Sequence, residues 1–414
     1  MLGTFAAAAM LSGCGGGSGT PLSPLPAGVT AERMHSPGYS VLYSFKGGSD
    51  GAFPSAGLAN VNGTLYGTTS DGGPGCNGSL GCGTVYAISP SGGETVLYAF
   101  KGGSADGANP VASLLDVNGT LYGTTAGGGA SGYGTVFSIT RSGSETVLHR
   151  FKGGSRDGAH PLAPLLEVDG MLYGTTSNGG AYCRGSGGCG TVFSIATSGK
   201  ETLLYSFKGG KIDGQNPYAG LIDAEGKLYG TTNWAGANCK NGLACGTVFE
   251  ITRSGKETMR YSFKGGADGQ NPQAALIDVN DKLYGTVTGY GAYCRCGTVF
   301  AVTPSGTETV LHSFGKGHDG ELPQAPLLGM NGKLYGTTEY GGSGSHGAGT
   351  VFELSTSGNE RVLHSFNGDP DGAYPIAGLI NVNGTLYGTA QVGGSVYCTA
   401  SGYLGCGVVF ALKP

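Results

Sequence analysis

The chain has 414 residues, of which 85 are Gly and 18 Pro, while charged residues make up only 12%. So many of the two poorest helix formers exclude a coiled coil or helical bundle; 39% hydrophobic residues, with 22 Tyr and 15 Phe, supply enough core to set aside collagen and plain disorder. A net charge of -4 without any block of like charge leaves no basic face for phosphate, so no nucleic-acid partner is expected.

The chain begins with an apolar run, MLGTFAAAAMLSGC, whose Leu11-Ser12-Gly13-Cys14 ending resembles a bacterial lipobox. Residues 1–13 then read as a lipoprotein signal peptide, with Cys14 as the lipidated residue. No Lys or Arg precedes the apolar run, unlike an ordinary export signal; an ordinary signal peptide with a chance Cys is the alternative. Residues 14–38, rich in Gly, Ser and Pro, form a tether that is flexible and then stiffened. Nothing else approaches the roughly twenty apolar residues of a membrane span. The expected location is therefore exported and lipid-anchored to the bacterial membrane, in the periplasm or at the cell surface.

From residue 39 onward the chain repeats. A strand ending in Phe recurs at Phe45, Phe100, Phe151, Phe207, Phe263, Phe314 and Phe366, at intervals of about 50 to 56 residues. Each Phe is followed by an Asp-Gly pair, a Leu-Tyr-Gly triplet and a Gly-Thr-Val-aromatic segment, with GVVF at 407–410 as the variant last copy. One unit, residues 57–100, reads as four short strands. Asn62-Gly63 and Ser91-Gly92-Gly93 form tight turns that supply positive φ, and the other two connections are longer. Four antiparallel strands repeated seven times predict an all-β, seven-bladed β-propeller over residues 39–414. Only six Ser-Gly hairpins occur; the chain enters on an orphan fourth strand, 39–45, and stops on an orphan third strand. Pairing of the N-terminal strand with the C-terminal blade closes the ring and removes the open edges.

The strings VLYSFKGGSDGAFPSAGL, NGTLYGTTSDGG and GTVYAISPSGGET resemble the GloVer (Gloeo/Verruco) tandem repeat of exported bacterial proteins, choice-of-anchor type. The resemblance spans residues 39–414. It implies an architecture and an exported location and brings no established activity, so no catalytic residue is carried over.

With Cys14 assigned to lipid, ten Cys remain as five local pairs: Cys76 with Cys82, Cys183 with Cys189, Cys239 with Cys245, Cys294 with Cys296, and Cys398 with Cys406. Each pair lies in the connection between the second and third strands of its own blade; blades two and six have none. Local pairs with an even remainder predict disulfides made in an oxidising compartment, each worth about 2 kcal/mol because its loop is short. Zinc would need four ligands together where each blade offers two thiols, and calcium needs clustered oxygens where each blade offers one loop Asp. No metal site and no cofactor are expected.

Residues repeated in every blade read as structure. His149, His312 and His364 stand where Tyr43, Tyr98, Tyr205 and Tyr261 stand elsewhere, which marks them as strand residues. Residues that break the repeat are the binding candidates: Trp234, Tyr182 with Arg184, Tyr290 and Tyr293 with Arg295, and Tyr340, joined by Tyr397 and Tyr403. Aromatics beside Arg suit sugar rings or a protein surface. A second group near blade six, His318, Glu321, Glu339 and His346, supplies candidates for acid–base catalysis. The sequence thus points to a non-catalytic binding scaffold, monomeric, with polysaccharide or an envelope or extracellular protein as partner and the membrane touched through the anchor alone. The alternative is a propeller carbohydrate-active enzyme, hydrolase or lyase, with its site near blade six.

Overall fold

Each repeat folds into a small antiparallel sheet because its strands are separated by residues that tolerate positive φ. In blade one Asn62 (φ 53°) and Gly63 (φ 86°) make the first turn, and the Asn60 side chain accepts the Gly63 N–H at 3.0 Å. The computed structural model describes residues 38–74, 76, 81–183, 187–237, 239, 245–344, 347–395, 398 and 405–414. The signal peptide, all but the last residue of the tether, and Cys14 lie outside the described residues.

Seven four-stranded sheets are present, together with short two-stranded ladders, and the described residues contain no α-helix. Blade one consists of Ala59–Val61, Thr64–Thr69, Thr84–Ile88 and Glu94–Ala99. Blade seven consists of Ile380–Val382, Thr385–Ala390, Val408–Leu412 and, from the other end of the chain, Tyr39–Ser44. That last pairing is antiparallel, from Tyr39 opposite Leu412 to Ser44 opposite Val408. The first strand of each blade touches the first strands of both neighbours; Ala59–Val61 touches Leu115–Val117 on one side and Ile380–Val382 on the other. The ring is closed.

Two repeated contacts bind blade to blade. The closing Phe of each fourth strand is at most 1% exposed and packs edge-on against the third-strand aromatic of the next blade, as in Phe100 on Phe137 at 5.1 Å. Phe45 on Tyr86, at 4.9 Å, carries the pattern across the junction of blades seven and one. Burial of each such ring contributes about 2 kcal/mol or more. In addition, the first Thr of each Leu-Tyr-Gly-Thr donates its hydroxyl to an Ala carbonyl in the loop leading into the next blade. Thr124 reaches Ala163 at 3.1 Å, and Thr389 reaches Ala56 at 3.0 Å.

The Gly of each triplet is required by the same core: a Cβ on Gly123 would stand 2.6 Å from the tip of Phe137. The following Thr bonds a third-strand Thr, for example Thr69 with Thr84 at 2.8 Å. Blade seven replaces both partners with Ala390 and Val408, whereas blade five replaces one, leaving the buried Thr298 hydroxyl beside Val287 with no hydrogen-bond partner.

Candidate functional site: the long-loop face and the blade junctions

The tight turns occupy one end of each blade, and the long connections meet at the other. There the loop entering a blade pairs with the loop between its second and third strands, as in Gly158–Ala159 with Asn178–Gly179. All five predicted disulfides are formed in these loops, which marks a chain made for an oxidising, exported environment. Their sulfurs pack against a Gly of the loop leaving the same blade, as Cys82 does at Gly102. Blade two has no disulfide, and Tyr133 stands in the place of Cys82; its ring covers Gly153 in the same way.

Among the described residues the exposed large aromatics are Tyr133 (40%), Tyr182 (44%), Trp234 (43%) and Tyr293 (60%). All four lie in the connection between second and third strands, one in each of blades two to five. Trp234 pairs by its backbone with Gln215. Tyr290 has a φ of 61°, and the Arg295 guanidinium lies over its ring at 4.7 Å. Tyr340 is half-buried, and its ring packs tilted against Tyr374 at 5.2 Å. Arg184, Tyr397 and Tyr403 lie outside the described residues. Sequence reasoning missed Tyr133; its signal was an aromatic standing where other blades have Cys.

The blade-six candidates separate. His318 joins His312, Lys316, Asp319, Glu360 and Tyr293 in lining a groove of about 730 Å³ at the junction of blades five and six. Lys316 sits 5.9 Å above the Tyr293 ring. Glu321 and Glu339 do not line this groove. Glu321 is exposed and pairs by its backbone with Tyr340; Glu339 accepts a hydrogen bond from the Gln324 amide, and burial pushes its carboxyl up from the ordinary value. His346 lies outside the described residues.

Each junction also repeats a polar cluster on the outer strands. The loop Asp accepts from a backbone N–H and from the Tyr or His of the preceding strand: Asp213 takes Lys208 N–H and the Tyr205 hydroxyl, both at 2.8 Å. His149, His312 and His364 substitute for the phenol through Nε2, 3.1 to 3.4 Å from their Asp. The Lys after the closing Phe lies over the Tyr ring, 5.4 to 5.9 Å from its centre, at Lys46, Lys101, Lys208 and Lys264.

From the next blade comes a Glu at the head of its fourth strand. Glu94, Glu145, Glu201, Glu257, Glu308 and Glu360 each bury one carboxylate oxygen without a hydrogen-bond partner. Burial and then the nearby Asp charge push Glu94, Glu145, Glu257 and Glu308 up to about 7. At the junction of blades six and seven Tyr39 takes the place of the Glu, its ring stacked on His364 at 3.8 Å with 3° between the planes.

These features define a closed seven-bladed β-propeller whose variation is concentrated in the loops of one face. The Gloeobacter/Verrucomicrobia repeat model matches residues 29–244 and 182–403, and the chain belongs to that family. No curated protein matches it. Among solved structures it is similar to the PQQ-bound aldose sugar dehydrogenase of Streptomyces coelicolor, at 12% identity and a TM-score of 0.46, covering 72% of this chain and 92% of that one. It is also similar to a europium-containing methanol dehydrogenase, at 11% identity and a TM-score of 0.47, covering 90% of this chain and 93% of that one. Among the described residues no helix is long and apolar enough to cross a membrane.

Proposed function

We propose that the chain is an exported, lipid-anchored, monomeric binding scaffold that holds polysaccharide on its long-loop face. The observation that carries this reading is the run of exposed aromatics on four successive blades, Tyr133, Tyr182, Trp234 and Tyr293. Ring faces stack on the apolar faces of sugars, and the Lys316 and Arg295 cations beside Tyr293 and Tyr290 supply polar edges. An envelope or extracellular protein is the other partner such a face suits. Residues 1–13 act as the signal peptide and Cys14 carries the anchor.

The groove between blades five and six favours a second reading. His312, His318, Asp319 and Glu360 around one cavity are groups of the kind that move protons, which suits a carbohydrate hydrolase or lyase.

The deciding experiment incubates the protein with plant, algal and bacterial glycans and records both retention and new chain ends. Retention without products, weakened by Trp234→Ala and Tyr293→Ala, is the expected result. New chain ends that disappear in His318→Ala would replace the scaffold with the enzyme, and silence in both channels would overturn both glycan readings in favour of the protein partner. Loss of fatty-acid labelling in Cys14→Ala is the matching test of the anchor.

A further inference from the structure

Of the repeated junctions, the one between blades two and three differs in its donors. His149 stands there in place of Tyr, and the ligand atoms of His149, Asp157 and Glu201 all lie within 4.8 Å of one another. Among the described residues no other group of His, Cys, Asp and Glu meets that limit, and the His312, Asp319 and Glu360 junction does not.

Each member is aimed. His149 Nε2 is 3.4 Å from Asp157 Oδ1, with the two side chains 17% and 11% exposed. Asp157 is oriented by Lys152 N–H on one oxygen at 2.8 Å and by Gly158 N–H on the other at 2.7 Å. The imidazole is held edge-on against Phe151 at 4.7 Å. Glu201 brings in a carboxylate oxygen from the next blade, and its Oε1 is buried without a hydrogen-bond partner.

We propose that His149, Asp157 and Glu201 bind one zinc-class divalent cation between blades two and three. Two carboxylates balance the charge of the ion. The imidazole selects a borderline transition ion over calcium or magnesium, which take oxygen donors. Three protein ligands are the set zinc keeps when its fourth position is left for water. A tetrahedral site has ligand atoms roughly 3.5 Å apart; His149 and Asp157 already stand at 3.4 Å, so binding asks only that Glu201, within 4.8 Å of both, move closer. The Asp amide contacts are the outer-shell support such ligands have in metal sites. At the Tyr junctions a phenol proton fills the same space and no imidazole is present, so those junctions have no such site.

The reading departs from the expectation that one Asp per blade offers too few ligands, because the second carboxylate comes from the neighbouring blade. It is also independent of the glycan proposal. The test titrates the EDTA-treated full-length protein with Zn2+ by calorimetry and with Co2+ by visible spectroscopy. Expected are one ion per chain and a loss of affinity of about a hundredfold or more in His149→Tyr. Tyr at this position is what Tyr43, Tyr98, Tyr205 and Tyr261 provide elsewhere, so the fold should persist; Glu201→Gln, nearly isosteric, is the second variant. His312→Tyr should bind as the parent does. No stoichiometric binding by the parent, or undiminished binding by both the His149 and Glu201 variants, overturns the site.

Discussion

Replacing Glu257 with Gln should make the stability of the propeller less sensitive to pH. In the folded protein burial, followed by the charge of Asp213, holds the Glu257 carboxyl at about 7 against an ordinary 4.5. Between those values the folded state keeps a proton that the unfolded chain has released. The stabilisation is therefore complete below about 4.5 and is lost as pH rises through 7. At about 1.4 kcal/mol per pH unit the full shift would be worth roughly 3 kcal/mol; the side chain keeps part of its contact with water, and screening reduces this to about 1 kcal/mol. Urea unfolding at pH 5 and pH 8 reads it directly. The parent should lose about 1 kcal/mol more than Glu257→Gln between the two values, with the variant the more stable at pH 8. Titrations elsewhere in the chain are common to both proteins and cancel. An equal loss in parent and variant, or a larger loss in the variant, would mean that folding does not raise the affinity of Glu257 for a proton, and would remove the same reading of Glu94, Glu145 and Glu308.

Two further outcomes test the fold. Val287→Thr should give the buried Thr298 hydroxyl the partner it has in blades one to four and six, and should raise the urea-unfolding free energy by about 1 kcal/mol; an unchanged or lower value would mean that the extra hydroxyl is not accommodated. Deleting residues 39–45 removes Phe45 from the junction of blades seven and one and leaves Val408–Leu412 as an open edge; the product should fail to give a cooperative melt, and a truncation that melts like the parent would refute closure.

Much of this architecture was legible in the chain because a repeat writes the same constraint seven times. Phe45, Phe100 and their equivalents, the Asn-Gly turns and the missing seventh Ser-Gly hairpin together implied four strands per blade and the closure of the ring. The disulfides were legible for a similar reason: each pair is local to one loop, so no long-range information was needed. The face that gathers the long connections followed from the alternation of connections in an antiparallel sheet. Even the packing role of Tyr133 had a local signal in its position before Gly134.

The candidate sites were much less legible, because they are made between repeats. Glu257 and Asp213 are 44 positions apart in the chain, and the charge of one shifts the other because the fourth strand of one blade lies against the loop leaving the blade before it. For the same reason the group His149, Asp157 and Glu201 does not show as a motif. Glu321 and Glu339 illustrate the converse: close in sequence to His318, they lie outside the groove that His318 lines, since backbone pairing and the Gln324 amide direct them elsewhere. Local periodicity and turn chemistry by themselves determined the blade, the count of blades and the way the ring is sealed. Which carboxylates meet, which stay buried without a partner and which aromatics remain open to solvent was decided by the contact of one blade with the next, which only the tertiary structure contains.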